Sequence, residues 1–142
     1  MGTSFQTVHL RHAVSFGSKS DVRKLLEAGA DANATIGRGD TTLMLAASDK
    51  RIDITRLLIE YGADINATNK IFGITALMKA ARNGQKETVK MLLDAGADIT
   101  QTDCFGYDAL ALANAYGRKE IANMLRNAGA IENELFKHRL LC

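Results

Sequence analysis

GITALMKAARNGQKETVKMLLDAGADIT, residues 73–100, holds two short helical patterns separated by Gly84 and closed by Gly96. Thr75 opens the first, because its hydroxyl can accept a backbone N–H at a helix start. Leu77, Ala80 and Ala81 then recur at helical spacing with small side chains on one face. The second pattern runs from about Glu87 to Ala95, with Val89, Leu92 and Leu93 as its apolar stripe. Gly96 suits the left-handed backbone position that ends a helix. Two helices this short cannot hide their apolar sides alone, so the stretch needs neighbours.

The chain supplies them. Leu92-Leu93-Asp94-Ala95-Gly96-Ala97-Asp98 is echoed by Leu25-Leu26-Glu27-Ala28-Gly29-Ala30-Asp31 and by Leu58-Ile59-Glu60-Tyr61-Gly62-Ala63-Asp64. A weaker copy follows at Leu125-Arg126-Asn127-Ala128-Gly129-Ala130. Gly29, Gly62, Gly96 and Gly129 stand 33, 34 and 33 residues apart. A fixed period of that length, built of paired helices, is the mark of a stacked-repeat architecture.

The opening phrase repeats as well: GDTTLMLAA at 39–47, GITALMKAA at 73–81, GYDALALAN at 106–114, with a degenerate VHLRHAV at 8–14. Together these phrases resemble the ankyrin repeat family over nearly the whole chain. The resemblance implies an all-α solenoid of helix-turn-helix units with hairpin-like connecting loops. The expected arrangement is one domain over 1–142, with units at 7–35, 36–68, 69–102 and 103–131 and a tail at 132–142. The family's proline is replaced by His9, Thr42, Ala76 and Ala109, and its histidine by Arg11, Met44, Met78 and Ala111. Loss of that histidine shifts the expected source of stability from inter-loop hydrogen bonds toward packing.

Several finer expectations follow. Residues 1–6 read as a frayed start. The connection between Gly62 and Gly73 is one residue longer than those from Gly29 to Gly39 and from Gly96 to Gly106, so a bulged tip is expected around Lys70-Ile71-Phe72. Lys50 stands where Gly17, Gly84 and Gly117 turn the chain in the other units, and is strained if that turn needs positive φ. The fourth unit turns polar at Asn123, Arg126 and Asn127, as an end layer should. Beyond it, Leu135, Phe136 and Leu140 suit a last short capping helix.

Composition excludes other classes. Hydrophobic residues make up 46% but aromatics only 6%, which fits thin helical layers packed through Ala and Leu. No apolar run approaches a membrane span of roughly 18 residues. The N-terminus lacks the features of a secretory or myristoylation signal. Cys104 and Cys142 lie far apart and read as reduced thiols of an intracellular, cytoplasmic protein. The resemblance also leaves delivery into a host cell open, since the family includes such proteins. The net charge is +2. Arg23, Arg56 and Lys90 recur with the period, yet each has an acid four residues later (Glu27, Glu60, Asp94), so neither nucleic acid nor membrane is the expected partner.

No phosphate loop, nucleophile elbow, dinucleotide fingerprint or Cys-x-x-Cys motif occurs, and His9 and His12 have no partner at metal spacing. No catalytic residue, metal or cofactor is therefore expected. Asp31, Asp64 and Asp98 repeat with the period and are read as structural. Asn33 and Asn66 resemble asparagines that the family presents to hydroxylases. Function belongs to what does not repeat. The family uses loop tips and first helices, which line a concave surface, to bind another protein. Carried onto this chain, the binding residues are Arg38, Asp40, Asp49, Phe72, Ile74, Arg82, Phe105, Tyr107 and Tyr116. A non-catalytic binding module, present as a monomer, is the leading expectation. A self-associating structural protein, or an inhibitor or substrate adaptor of an enzyme, remains open beside it.

Overall fold

A computed structural model describes residues 5–132. Among the described residues eight helices follow one another in four pairs: α1 (Phe5–Phe16) with α2 (Lys19–Glu27), α3 (Thr42–Ser48) with α4 (Ile52–Glu60), α5 (Ala76–Arg82) with α6 (Lys86–Asp94), and α7 (Ala109–Ala115) with α8 (Lys119–Asn127). Two two-residue strands, β1 (Thr35–Ile36) and β2 (Asp40–Thr41), pair antiparallel in the connection between α2 and α3. At Phe5 and Gln6 the frayed start is corrected, because α1 includes both, while positions 1–4 lie outside the described residues.

Local sequence explains the boundaries. Ser18 and Asp21 form a reciprocal capping box at the start of α2. Thr41, Thr75 and Asp108 accept from the backbone N–H three residues on, opening α3, α5 and α7. At α3 the sulfur of Met44, standing where the family has its histidine, accepts the Thr41 N–H at 3.4 Å. Each second helix ends at a periodic glycine with φ between 88° and 103°. The alanine that follows donates back to the leucine five residues earlier, for example Ala97 to Leu92 at 2.9 Å. This closes the helix in a Schellman-type turn that a Cβ would strain.

First helices stack on first helices because their contact face is small. Ala46, Ala47, Ala80, Ala81 and Ala113 have no exposed surface, so backbones approach closely. Leu43, Met44, Leu57, Leu58, Leu77, Met78, Leu92, Leu110 and Leu125 fill the space between the layers in one continuous apolar core. Burying each such side chain contributes on the order of 1.5–3 kcal/mol before ordering costs.

The periodic acids and asparagines tie unit to unit. Asp31, Asp64 and Asp98 each accept the N–H two residues on, fixing the turn after the helix. Asn33 then accepts from the Asp64 N–H at 2.6 Å, and Asn66 from the Asp98 N–H at 2.7 Å. Structural duty for the three aspartates is what these bonds show. The ladder has no counterpart after Gly129, where Ile131 replaces the acid.

Three readings change. Arg11, at a lost family histidine, restores a bond between elements by donating to the Thr35 carbonyl at 2.9 Å. Arg23–Glu27, Arg56–Glu60 and Lys90–Asp94 form no ion pair among the described residues, whose pairs are Lys79–Asp40, Lys86–Glu120 and Arg126–Glu132. Base-before-acid is the weaker order on a helix, and exposed pairs gain too little to hold two long side chains together. Cys104 is disulfide-bonded rather than reduced. Cys142 and the expected capping segment at Leu135, Phe136 and Leu140 lie outside the described residues.

Candidate functional site

Three connections, here called fingers, lie in a row, each held to the next by hydrogen bonds. In the first, Ile36 pairs with Asp40, leaving three residues in the turn. In the third, Asp103 N–H donates to the Tyr107 carbonyl at 2.9 Å, again enclosing three. In the second, Asn69 N–H donates to the Ile74 carbonyl at 2.8 Å, enclosing four: Lys70, Ile71, Phe72 and Gly73. The extra residue thus widens the middle finger, as its length implied.

Asn69 makes the wide turn stable. It is 4% exposed, and its Oδ1 accepts the N–H groups of Ile71 and Phe72 at 2.8 and 2.9 Å. Its Nδ2 reaches the first finger, donating to the Arg38 carbonyl at 3.3 Å and to the Asp40 carboxylate. Lys79 Nζ, from α5, completes the cluster at 2.6 Å from Asp40 Oδ2. Finger two joins finger three through the Cys104 N–H, which donates to the Phe72 carbonyl at 2.8 Å. There Asp103 Oδ1 accepts from Phe105 and Tyr107, both at 2.9 Å.

The first helices are locked at their ends. Asn83 Nδ2 donates to the Ser48 Oγ at 2.8 Å, joining α5 to α3. Arg118 Nε donates to the Arg82 carbonyl at 3.0 Å, and Arg51 donates to the Val14 carbonyl at 2.8 Å and to that of Gly17. Each arginine thereby holds the inter-helix turn of the preceding unit.

The sequence-derived residues divide on this frame. Asp40 is committed to Lys79 and Asn69. Phe72 and Ile74 are half-buried within the middle finger, whereas Arg38 and Asp49 are exposed and Arg82 is half-buried. Phe105 and Tyr107 are 37% and 38% exposed on the third finger, and Tyr116 is 56% exposed at the end of α7. Asn69 and Lys79 escaped the sequence reading. Asn69 stands where the fourth unit has Asp103, and that match of side-chain acceptors was the available signal. Asp108, the α7 cap, has its carboxyl pushed up, first by burial and further by Glu132, against the lowering effect of the Ala111 N–H. Among the described residues no group of three His, Cys, Asp or Glu gathers as for a metal ion, and no helix is long and apolar enough to cross a membrane.

Helix pairs of near-constant length, glycine-closed and joined by a row of hydrogen-bonded fingers, match a family model for ankyrin repeats in three copies, twice, over residues 10–103 and 43–135. The chain belongs to the ankyrin repeat family. An ankyrin repeat protein of fowlpox virus (strain NVSL) is 40% identical over 67 residues, which cover 46% of this chain. The match spans only 13% of that relative's length. Ankyrin repeats in general are protein–protein interaction modules without catalytic chemistry of their own.

Proposed function

We propose that this ankyrin unit binds another protein through the face shared by its fingers and first helices. Phe105, Tyr107 and Tyr116 are the anchors of that face, Phe72 and Ile74 stiffen its middle, and Arg38, Asp49 and Arg82 supply polar contacts. Asp40 belongs to the supporting frame. The observation that carries the reading is the contrast between rigid backbone and exposed aromatic side chains on the third finger. Tyr107 and Phe105 remain more than a third exposed while their backbone N–H groups are pinned to Asp103. Such pre-organisation lowers the ordering cost of binding, and aromatic and Arg side chains are the usual interface anchors. The module acts as a monomer and does no chemistry.

Affinity capture from a source-cell lysate, wild type beside a Phe105→Ala/Tyr107→Ala variant, tests this. A protein retained by the wild type and lost from the variant, at unchanged circular dichroism, supports the face. Identical capture by both forms removes it.

A further inference from the structure

We propose, resting on that binding face, that its partner presents an acidic segment, with Arg82 receiving one carboxylate and Arg38 and Lys70 receiving its neighbours. Arg82 is half-buried, yet its guanidinium makes no hydrogen bond or ion pair among the described residues. Its backbone is fixed instead, through the Arg118 bond to its carbonyl and the Asn83 bond to Ser48 beside it. A charge partly withdrawn from water, on a held backbone and without a partner, is poised for the two parallel bonds that a carboxylate accepts from guanidinium.

The other two cations stand together at neighbouring finger tips. Arg38 is exposed, its carbonyl held by Asn69. Lys70 lays its stem over Gly39 of the first finger, where an added Cβ would lie 3.3 Å from it. Neither makes an ion pair among the described residues. Among the acids of the same face Asp40 is paired with Lys79, whereas Asp103 accepts two backbone N–H groups and keeps its charge. With Asp49, two carboxylates without an ion pair stand against the three cations. On the second helices Arg23, Arg56 and Lys90 form no ion pair either, but each is matched by one acid of its own four residues on along the helix. The uncompensated positive charge therefore falls on the finger side, and complementary charge on a partner raises both on-rate and selectivity.

A random 16-residue peptide library displayed on phage, selected on the wild-type protein, tests the proposal. Individual peptides are then titrated against wild type, Phe105→Ala/Tyr107→Ala and Arg38→Gln/Lys70→Gln/Arg82→Gln, each checked for fold by circular dichroism. The expected pool is rich in Asp and Glu, and binds the charge variant and the aromatic variant each about tenfold more weakly. Arg82→Lys recovers part of that loss, since it keeps the charge and loses the fork. A pool that depends on Phe105 and Tyr107 but shows no acidic excess, and binds the charge variant as well as wild type, overturns the acidic partner and leaves the face. A pool indifferent to Phe105 and Tyr107 overturns the face itself. Tighter binding of a random single-stranded oligonucleotide than of any selected peptide, lost in the charge variant, assigns the cations to phosphate and also overturns the proposal.

Discussion

The second and third helix pairs occupy adjacent layers of one stack and are built from nearly the same phrases, yet they solve three local problems differently. The finger entering the second pair turns through three residues on strand-like backbone pairing, whereas the finger entering the third turns through four on the side chain of Asn69. Between helices, the second pair uses Lys50 at φ 59° where the third uses Gly84 at φ 76°. In the second helix, Ile54 is buried where the third pair buries Thr88, whose Oγ1 has no hydrogen-bond partner. A repeat architecture tolerates such differences because each layer needs only to satisfy its two neighbours. Where the differences strain one layer, single substitutions should reveal it.

The largest effect is expected at Asn69. Asn69→Ala leaves two finger N–H groups and the Asp40 carboxylate short of a partner in a mostly buried place, and should cost about 2–3 kcal/mol in urea unfolding. Asp103→Ala, which removes a similar pair of bonds from the more exposed third finger, should cost about 1 kcal/mol. Equal losses would mean that the middle finger draws its rigidity from somewhere other than this side chain.

Next come the inter-helix turns. Gly84→Ala puts a Cβ on a left-handed backbone and within 3.0 Å of the Arg118 guanidinium, at a cost of roughly 1–2 kcal/mol. Lys50→Gly is the reverse experiment. It relieves the same strain while loosening the unfolded chain, so the result should lie between neutral and about 1 kcal/mol more stable. A clear loss of melting temperature for Lys50→Gly would show that the lysine side chain contributes more than its backbone costs.

How much of this was legible from sequence follows from what each feature depends on. The helix pairs, the cap at Thr75, the widened middle finger and the exception at Lys50 all depend on the period, and a period is visible in one chain. The Asp40–Asn69–Lys79 cluster is not periodic. It joins side chains 29 and 39 residues apart across two fingers and a helix, so Asp40 read as a free tip residue when its charge was already used. The arginine bonds from the residues that precede α4 and α8 back to the previous unit were hidden for the same reason. Arg51 and Arg118 match in position, but nothing in the sequence shows which carbonyl each will reach. A place in a connection did not separate Phe105, 37% exposed, from Phe72, which is half-buried, because what covers each ring lies in a neighbouring finger.

Thr88 offers a smaller test of the same comparison. The equivalent residues of the neighbouring pairs, Ile54 and Ile121, are 3% and 1% exposed, and Thr88 is 1% exposed. Thr88→Val keeps the shape and removes a buried hydroxyl without a partner. It should stabilise the protein by about 1 kcal/mol. No gain, or a loss, would indicate that water reaches Oγ1 in solution.

The smallest effect concerns pH, and it sets the fourth pair against the second and third. Their first helices are capped by Thr41 and Thr75, which do not titrate in this range, whereas α7 is capped by Asp108. Burial, then Glu132, raise the Asp108 carboxyl above its ordinary 3.8, so the folded protein holds that proton more tightly than the unfolded chain. Stability from this group is therefore full below about pH 3.8 and fades as pH rises through the folded value. Asp98 and Asp21 act in the opposite sense. Hydrogen bonds from Thr100 and from Ser18 hold their carboxyls below the usual value, so what they contribute is present above 3.8 and lost as pH falls through the folded value. Asp108→Asn keeps an acceptor for the Ala111 N–H while removing the titration. Relative to wild type it should gain a fraction of a kcal/mol as pH rises from about 4 to 7, a figure kept small because the cap is partly solvent-screened. Asp98→Asn should show no such gain. Parallel pH profiles for wild type and Asp108→Asn would mean that the cap titrates alike in the folded and unfolded chains, and that the two cap types are electrostatically equivalent.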